Sequence, residues 1–234
     1  MAPADGRTPV TRGRALREAV ALADEDGLAA VTMRKLAARL GVVPMALYKH
    51  VEGKEGLRDG MVDELVSSIA PSDPSLAWNA RVRHTVLAAR ELVLAHPWLR
   101  TLIETRTRRT PAVLEHMERV TGAFLAGGFS PDLTHHAMHA LGHRIWGFSP
   151  EAFDAPGVPD AATPPPDPEA RAQMVDRMAR QYPSIAAVAL ATVGDDLSRL
   201  DAGCDEQFEF EFALDLLLDA VERLRDAGWS SPRR

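Results

Sequence analysis

Gly41 sits where one short amphipathic pattern stops and another begins. Leu36, Ala37 and Leu40 share one helical face before it, and Val42 and Leu47 supply an apolar side after it. A glycine at that junction supplies the left-handed backbone needed to leave a helix. Thr32 stands where an N-cap belongs, and Pro44 suits the first turn of the second helix. Ala37 is small where the second helix must cross closely. Two short helices joined in this way form a helix-turn-helix, which lays its second helix in the major groove of DNA.

The longer string is more specific. Thr32, Arg34, Leu36, Ala37, Leu40, Gly41, Val42, Leu47, Tyr48, His50, Val51, Lys54 and Leu57 together resemble the tetracycline-repressor family of transcription regulators. The resemblance implies that the helix from about Pro44 to His50 enters the groove. It gives Thr32, Tyr48, His50 and Lys54 to phosphates, and Lys49 to a phosphate or a base. Arg34 is the strongest base reader, because its fork matches the O6 and N7 of guanine. The tetracycline repressor itself reads bases partly with polar side chains at positions equivalent to Pro44 and Ala46. This chain offers Val43, Pro44, Met45 and Ala46. Met45 and Ala46 can touch thymine methyls but cannot hydrogen-bond a base edge, so a different operator is expected, read through Arg34, methyl contacts and DNA shape. Arg39, and Arg12, Arg14 and Arg17, are either ordinary surface charge or further contacts to the DNA backbone.

The net charge of −6 over 234 residues excludes a wholly basic nucleic-acid coat. Cations must then be concentrated locally, and they are, from Arg7 to Lys54, while an acidic surplus lies from Asp195 to Asp226. An apolar share of 46% supports a substantial core. A single cysteine, Cys204, excludes an internal disulfide and suits a reducing compartment. No signal peptide and no membrane span are read from the sequence, so a cytoplasmic protein without cofactor is expected.

Helical periodicity runs throughout and no period-two segment interrupts it, so the expected fold is all-α. We expect a flexible tail over 1–11, a helix-turn-helix DNA-binding domain over 12–57, and a ligand-binding and dimerisation domain over 58–234. Within the first domain a helix spans about Arg12 to Asp26. A further helix starts near Lys54 and reaches Ile69. Later helices carry Val82 to Val93 and Val113 to Phe124, and another starts at Pro131. The stretch 155–168 is proline-rich and is expected to be a mobile loop.

His96-Pro97-Trp98-Leu99, Thr105 to Pro111, Gly128-Phe129-Ser130 and Gly142-His143 resemble the C-terminal domain of tetracycline-repressor-like regulators, which implies an internal cavity for a small-molecule effector. His136, His139, His143 and Trp146 recur on one helical face and form a candidate pocket wall. Trp98, Arg100, Thr105, Met117 and Phe124 are further ligand candidates. The histidine spacing also permits a metal site, which keeps a metal-binding enzyme as the alternative. No hydrolase, P-loop or dinucleotide motif accompanies it. A DNA-binding protein without a ligand is the other alternative. No histidine lies in the stretch Ile103 to Thr105, so tetracycline–magnesium recognition is not expected. In the last helix, Phe210, Leu214, Leu217, Val221 and Leu224 alternate spacings of four and three, the seam of a helix bundle. Together with the family resemblance, which implies a homodimer, that seam is the expected dimer interface. Phe208, Phe212 and Leu216 form a second apolar strip.

Overall fold

The computed structural model describes residues 9–105, 109–146, 167–193 and 205–232. The described residues form helices with no strand among them. The chain divides into two compact units, 1–148 with 214–234, and 149–213. Residues 1–8 of the tail expected over 1–11, most of the proline-rich stretch and Cys204 lie outside the described residues.

In the first unit α1 (Arg12–Asp26) begins at Thr11, whose hydroxyl accepts from the Arg14 N–H at 3.2 Å. A 3₁₀ turn (Leu28–Ala30) leads to α2 (Met33–Leu40), α3 (Pro44–Leu47) and α4 (Gly53–Ser67). Thr32 caps α2 by accepting from the Lys35 N–H at 3.1 Å. At the far end Gly41 has φ 70° and ψ 33°, and the N–H groups of Gly41 and Val42 donate to the carbonyls of Ala38 and Ala37. This left-handed cap satisfies carbonyls that the helix leaves open, which is why glycine belongs there. Leu16, Leu36, Leu47, Leu57 and Met61 are fully buried and hold the four helices together. The crossing of α1 and α4 is close. A Cβ added at Gly60 would lie 2.5 Å from Leu16 Cδ2.

Beyond α4 come α5 (Trp78–Ala95), α6 (Trp98–Glu104), α7 (Pro111–Ala126) and α8 (Pro131–Trp146). Helix α7 packs on α4, α5 and α8. The last helix, α11 (Glu206–Asp226), belongs to this unit from Leu214 onward. Polar contacts fasten that part: Arg83 Nε donates to Asp215 Oδ1 at 2.8 Å, and Arg225 donates to the Gly127 carbonyl at 3.1 Å. The Arg225 guanidinium lies over the Phe129 ring at 5.1 Å, a cation–π distance. After the helix, Ser231 donates its N–H and hydroxyl to Asp132 at the start of α8.

The second unit contains α9 (Pro168–Gln181), α10 (Pro183–Val193) and the first turns of α11. Helices α9 and α10 pack together as a hairpin. Asp205 caps α11, accepting from the N–H groups of Gln207 and Phe208.

Candidate DNA-reading surface and ligand cavity

The cations of the N-terminal helices have different surroundings. Arg39 donates to Glu18 at 2.8 Å and to both oxygens of Glu25 at 2.5 and 2.6 Å, tying α2 to α1. Those hydrogen bonds hold the Glu25 carboxyl below the usual carboxylate range. Lys35 pairs with Asp26 and Arg17 with Glu64, each within α1 to α4. Arg34, Lys49 and Lys54, by contrast, are exposed and carry no ion pair among the described residues. Tyr48 and Met45 stand beside them with 51% and 72% of their surface open, far more than core side chains would show. Thr32 is exposed, although its hydroxyl is already used as the α2 cap. Ala46 and His50 are half-buried. The apolar Val43 to Ala46 thus form an open face at the start of α3, without a hydrogen-bonding side chain.

A cavity of about 640 Å³ lies among α4, α6, α7 and α8. Its walls are mostly apolar: Val66 of α4, Ile103 of α6, Val113, Met117 and Val120 of α7, and Leu141 of α8. Polar groups are few: Arg109, His116, Thr121, Thr134, His135 and His139. This size and lining suit a drug-sized molecule with a few polar handles. Burial, with Arg119 adding repulsion, pushes the His116 imidazole down to about 4, so it is neutral at pH 7. The Thr134 hydroxyl is buried without a hydrogen-bond partner among the described residues.

Several expected ligand residues stand elsewhere. Trp98 donates its indole N–H to Asp24 Oδ1 at 2.7 Å, and His96 Nδ1 meets the same oxygen at 2.8 Å. Trp98 therefore latches α6 to α1, and His96 ties the end of α5 to the same residue, so neither lines the cavity. Arg100 is paired along its own helix with Glu104. Thr105 returns its hydroxyl to the carbonyls of Thr101 and Leu102. Phe124 is wholly buried, 5.5 Å from Trp78 and 5.1 Å from Phe129, in an aromatic core. His136 lies off the cavity, 3.7 Å from Asp132 and edge-on to Trp229. The side chains of His143 and Trp146 lie outside the described residues. Met117 and His139 do line the space. On α8 the cavity face is one position round from the expected one, carrying Thr134, His135, Met138 and His139, because Leu133 and Ala137 are drawn into the core. The cavity also takes in His116, Thr134 and Arg109, which are not among the ligand candidates expected from the sequence. A histidine beside the apolar stripe of α7 was the available signal for the first. Among the described residues no group of His, Cys, Asp or Glu side chains converges as metal ligands.

Most residues of the expected dimer seam are covered within the chain itself. Phe210, Leu214 and Val221 are 1%, 0% and 7% exposed, and Leu217 is half-buried. Side chains already covered by their own chain cannot also face a partner. The open strip of α11 carries Phe208, Phe212 and Leu216, with Leu224 a further exposed residue.

This geometry has known counterparts. The model of bacterial regulatory proteins of the tetR family matches residues 15–61, and that of the tetracyclin repressor-like C-terminal domain matches 70–225. The chain belongs to the tetracycline-repressor family. The regulator is a DNA-binding transcription factor. It is 28% identical to the HTH-type transcriptional repressor DrrR1 of Streptomyces coeruleorubidus, over 98% of this chain and 85% of that one. A possible TetR family transcriptional regulator from Streptomyces coelicolor A3(2) superimposes with a TM-score of 0.66 at 26% identity, over 91% of this chain and 99% of that one. Apo ActR from Streptomyces coelicolor shares the fold, with a TM-score of 0.68 at 21% identity, over 95% of this chain and 99% of ActR. No helix among the described residues is long and apolar enough to cross a membrane.

Proposed function

We propose that the regulator is a cytoplasmic homodimeric repressor that holds the two half-sites of a palindromic operator and releases them when a small molecule fills the cavity. The observation that carries this reading is the course of α4. Its first turn follows the α3 end of the helix-turn-helix, and Val66, near its other end, lines the cavity. A helix of 15 residues is about 22 Å long, and as a stiff rod it conveys a displacement at one end to the other. Two recognition helices must sit roughly 34–36 Å apart to meet successive major grooves, so a small tilt of α4 is enough to spoil the fit.

In this reading the DNA-binding domain is 12–57, and the ligand-binding and dimerisation domain is 58–234. Arg34 reads a base, Met45 and Ala46 touch methyl groups, and Thr32, Tyr48, Lys49, His50 and Lys54 hold the backbone. The dimer forms through the open strip of α11. The similarity to DrrR1, a transcriptional repressor, supports the direction of control. ActR bound to actinorhodin supports a bulky organic effector. We read no catalytic role.

The test is selection of DNA fragments bound by the purified protein, followed by a screen for compounds that release them. Linkage then requires operator DNA to weaken effector binding by the same factor by which effector weakens operator binding. An effector that binds equally with and without operator would overturn the reading.

A further inference from the structure

The cavity has an uneven charge. No acidic side chain lines it among the described residues, whereas one permanent cation, Arg109, does. A cationic guest would enter apolar walls without a counter-ion, at a high desolvation cost. An anionic guest would meet a planar guanidinium with five donors, the geometry that suits carboxylate and sulfonate oxygens. Thr134 adds a buried hydroxyl with no partner of its own.

Arg109 also lines a second space, a cleft of about 300 Å³ beside α1 and the start of α4. Asp59 and Asp63 of α4 line the same cleft. Asp63 Oδ1 and the hydroxyl of Thr110 are buried there with no hydrogen-bond partner among the described residues. Arg109, an exposed residue, thus borders two spaces, one lined by Asp63, whose Oδ1 has no hydrogen-bond partner among the described residues, and one lined by no acid. We propose that the effector is an acid, a largely apolar molecule of drug size bearing a carboxylate, sulfonate or ionised phenol, and that Arg109 reads it in competition with Asp63 of α4. Binding of the anion then changes the electrostatic surroundings of α4 directly, at the helix that the proposed release mechanism moves. The inference rests on the sensor reading of the cavity.

Two fluorescent probes with a common skeleton test it on the full-length protein: 1-anilinonaphthalene-8-sulfonate and the uncharged N-phenyl-1-naphthylamine. The wild type should hold the sulfonate about tenfold more tightly. Arg109→Gln should abolish that preference while leaving the neutral probe within about twofold, and Arg109→Lys should restore part of it. Asp63→Asn should strengthen sulfonate binding, because the competing carboxylate is gone. Equal affinities in the wild type, or a preference that survives Arg109→Gln, would overturn the acid proposal. An Asp63→Asn variant with unchanged sulfonate affinity would overturn the competition. Gly142→Trp separates the two levels of the argument, because Gly142 lines the cavity and an added Cβ there meets no atom within 4 Å. If that block leaves both probes bound, the cavity is not the binding site and the sensor reading falls with the inference. If it expels both probes while Arg109 proves irrelevant, only the inference falls.

Discussion

Arg34 and Arg39 stand five positions apart on one short helix, and their neighbours give them different work. Arg39 is engaged by Glu18 and Glu25, so it braces α2 against α1. Arg34 has no such partner among the described residues and remains available to DNA. Arg34→Ala should cost about 1–3 kcal/mol on the selected operator and relax discrimination at one base position. A gel-shift series with operator variants checks this, and a similar loss on random DNA would make Arg34 a phosphate contact instead. His116 offers a test in pH. Its folded pKa of about 4 lies below its ordinary 6.5, so the unfolded chain takes the proton first as pH falls. The stability contributed by the neutral imidazole is complete above the ordinary value and is lost between roughly 6.5 and 4. The slope is at most about 1.4 kcal/mol per pH unit. Urea melts of the wild type and His116→Gln at pH 7 and pH 5 should show the extra loss in the wild type only.

At the scale of elements, α11 shows how periodicity defines faces without assigning them. Both of its apolar strips were visible in the spacing, but burial chose the Phe210, Leu214 and Val221 strip for the core. Leu214→Ala should therefore lower stability by about 2–5 kcal/mol in a denaturant melt. The paired change Phe208→Asp and Phe212→Asp should leave the helices intact by circular dichroism but give a monomer in sedimentation. A dimer that survives it would move the proposed interface elsewhere. The α1–α4 crossing has the opposite sensitivity, to added volume. Gly60→Ala would force a Cβ against Leu16, so a loss of about 1–3 kcal/mol is expected in the same melt.

Over the whole molecule, the −6 net charge is compatible with the proposed DNA-reading surface, because Arg34, Lys49 and Lys54, without ion pairs among the described residues, gather around α2 to α4. Operator affinity should consequently fall steeply between 50 and 200 mM salt, as filter binding would measure, since phosphate contacts release condensed counterions. The sequence by itself determined where the N-terminal helices start, although the helix expected to reach His50 ends at Leu47. Caps, turns and helical spacing are local, and Thr32, Gly41 and Pro44 appear in the structure in the roles their chemistry requires. It also carried the family, because the string from Thr32 to Leu57 encodes a compact local unit. The separate short helix α6 and the α9–α10 hairpin carry only weak signals in the sequence. Only tertiary structure decided the cavity. Trp98 could serve a ligand as well as Asp24, and His136 and His135 differ by about 100° of helix rotation. Which residue faces the empty space depends on how α4, α6, α7 and α8 pack, a long-range choice that no spacing along one helix contains.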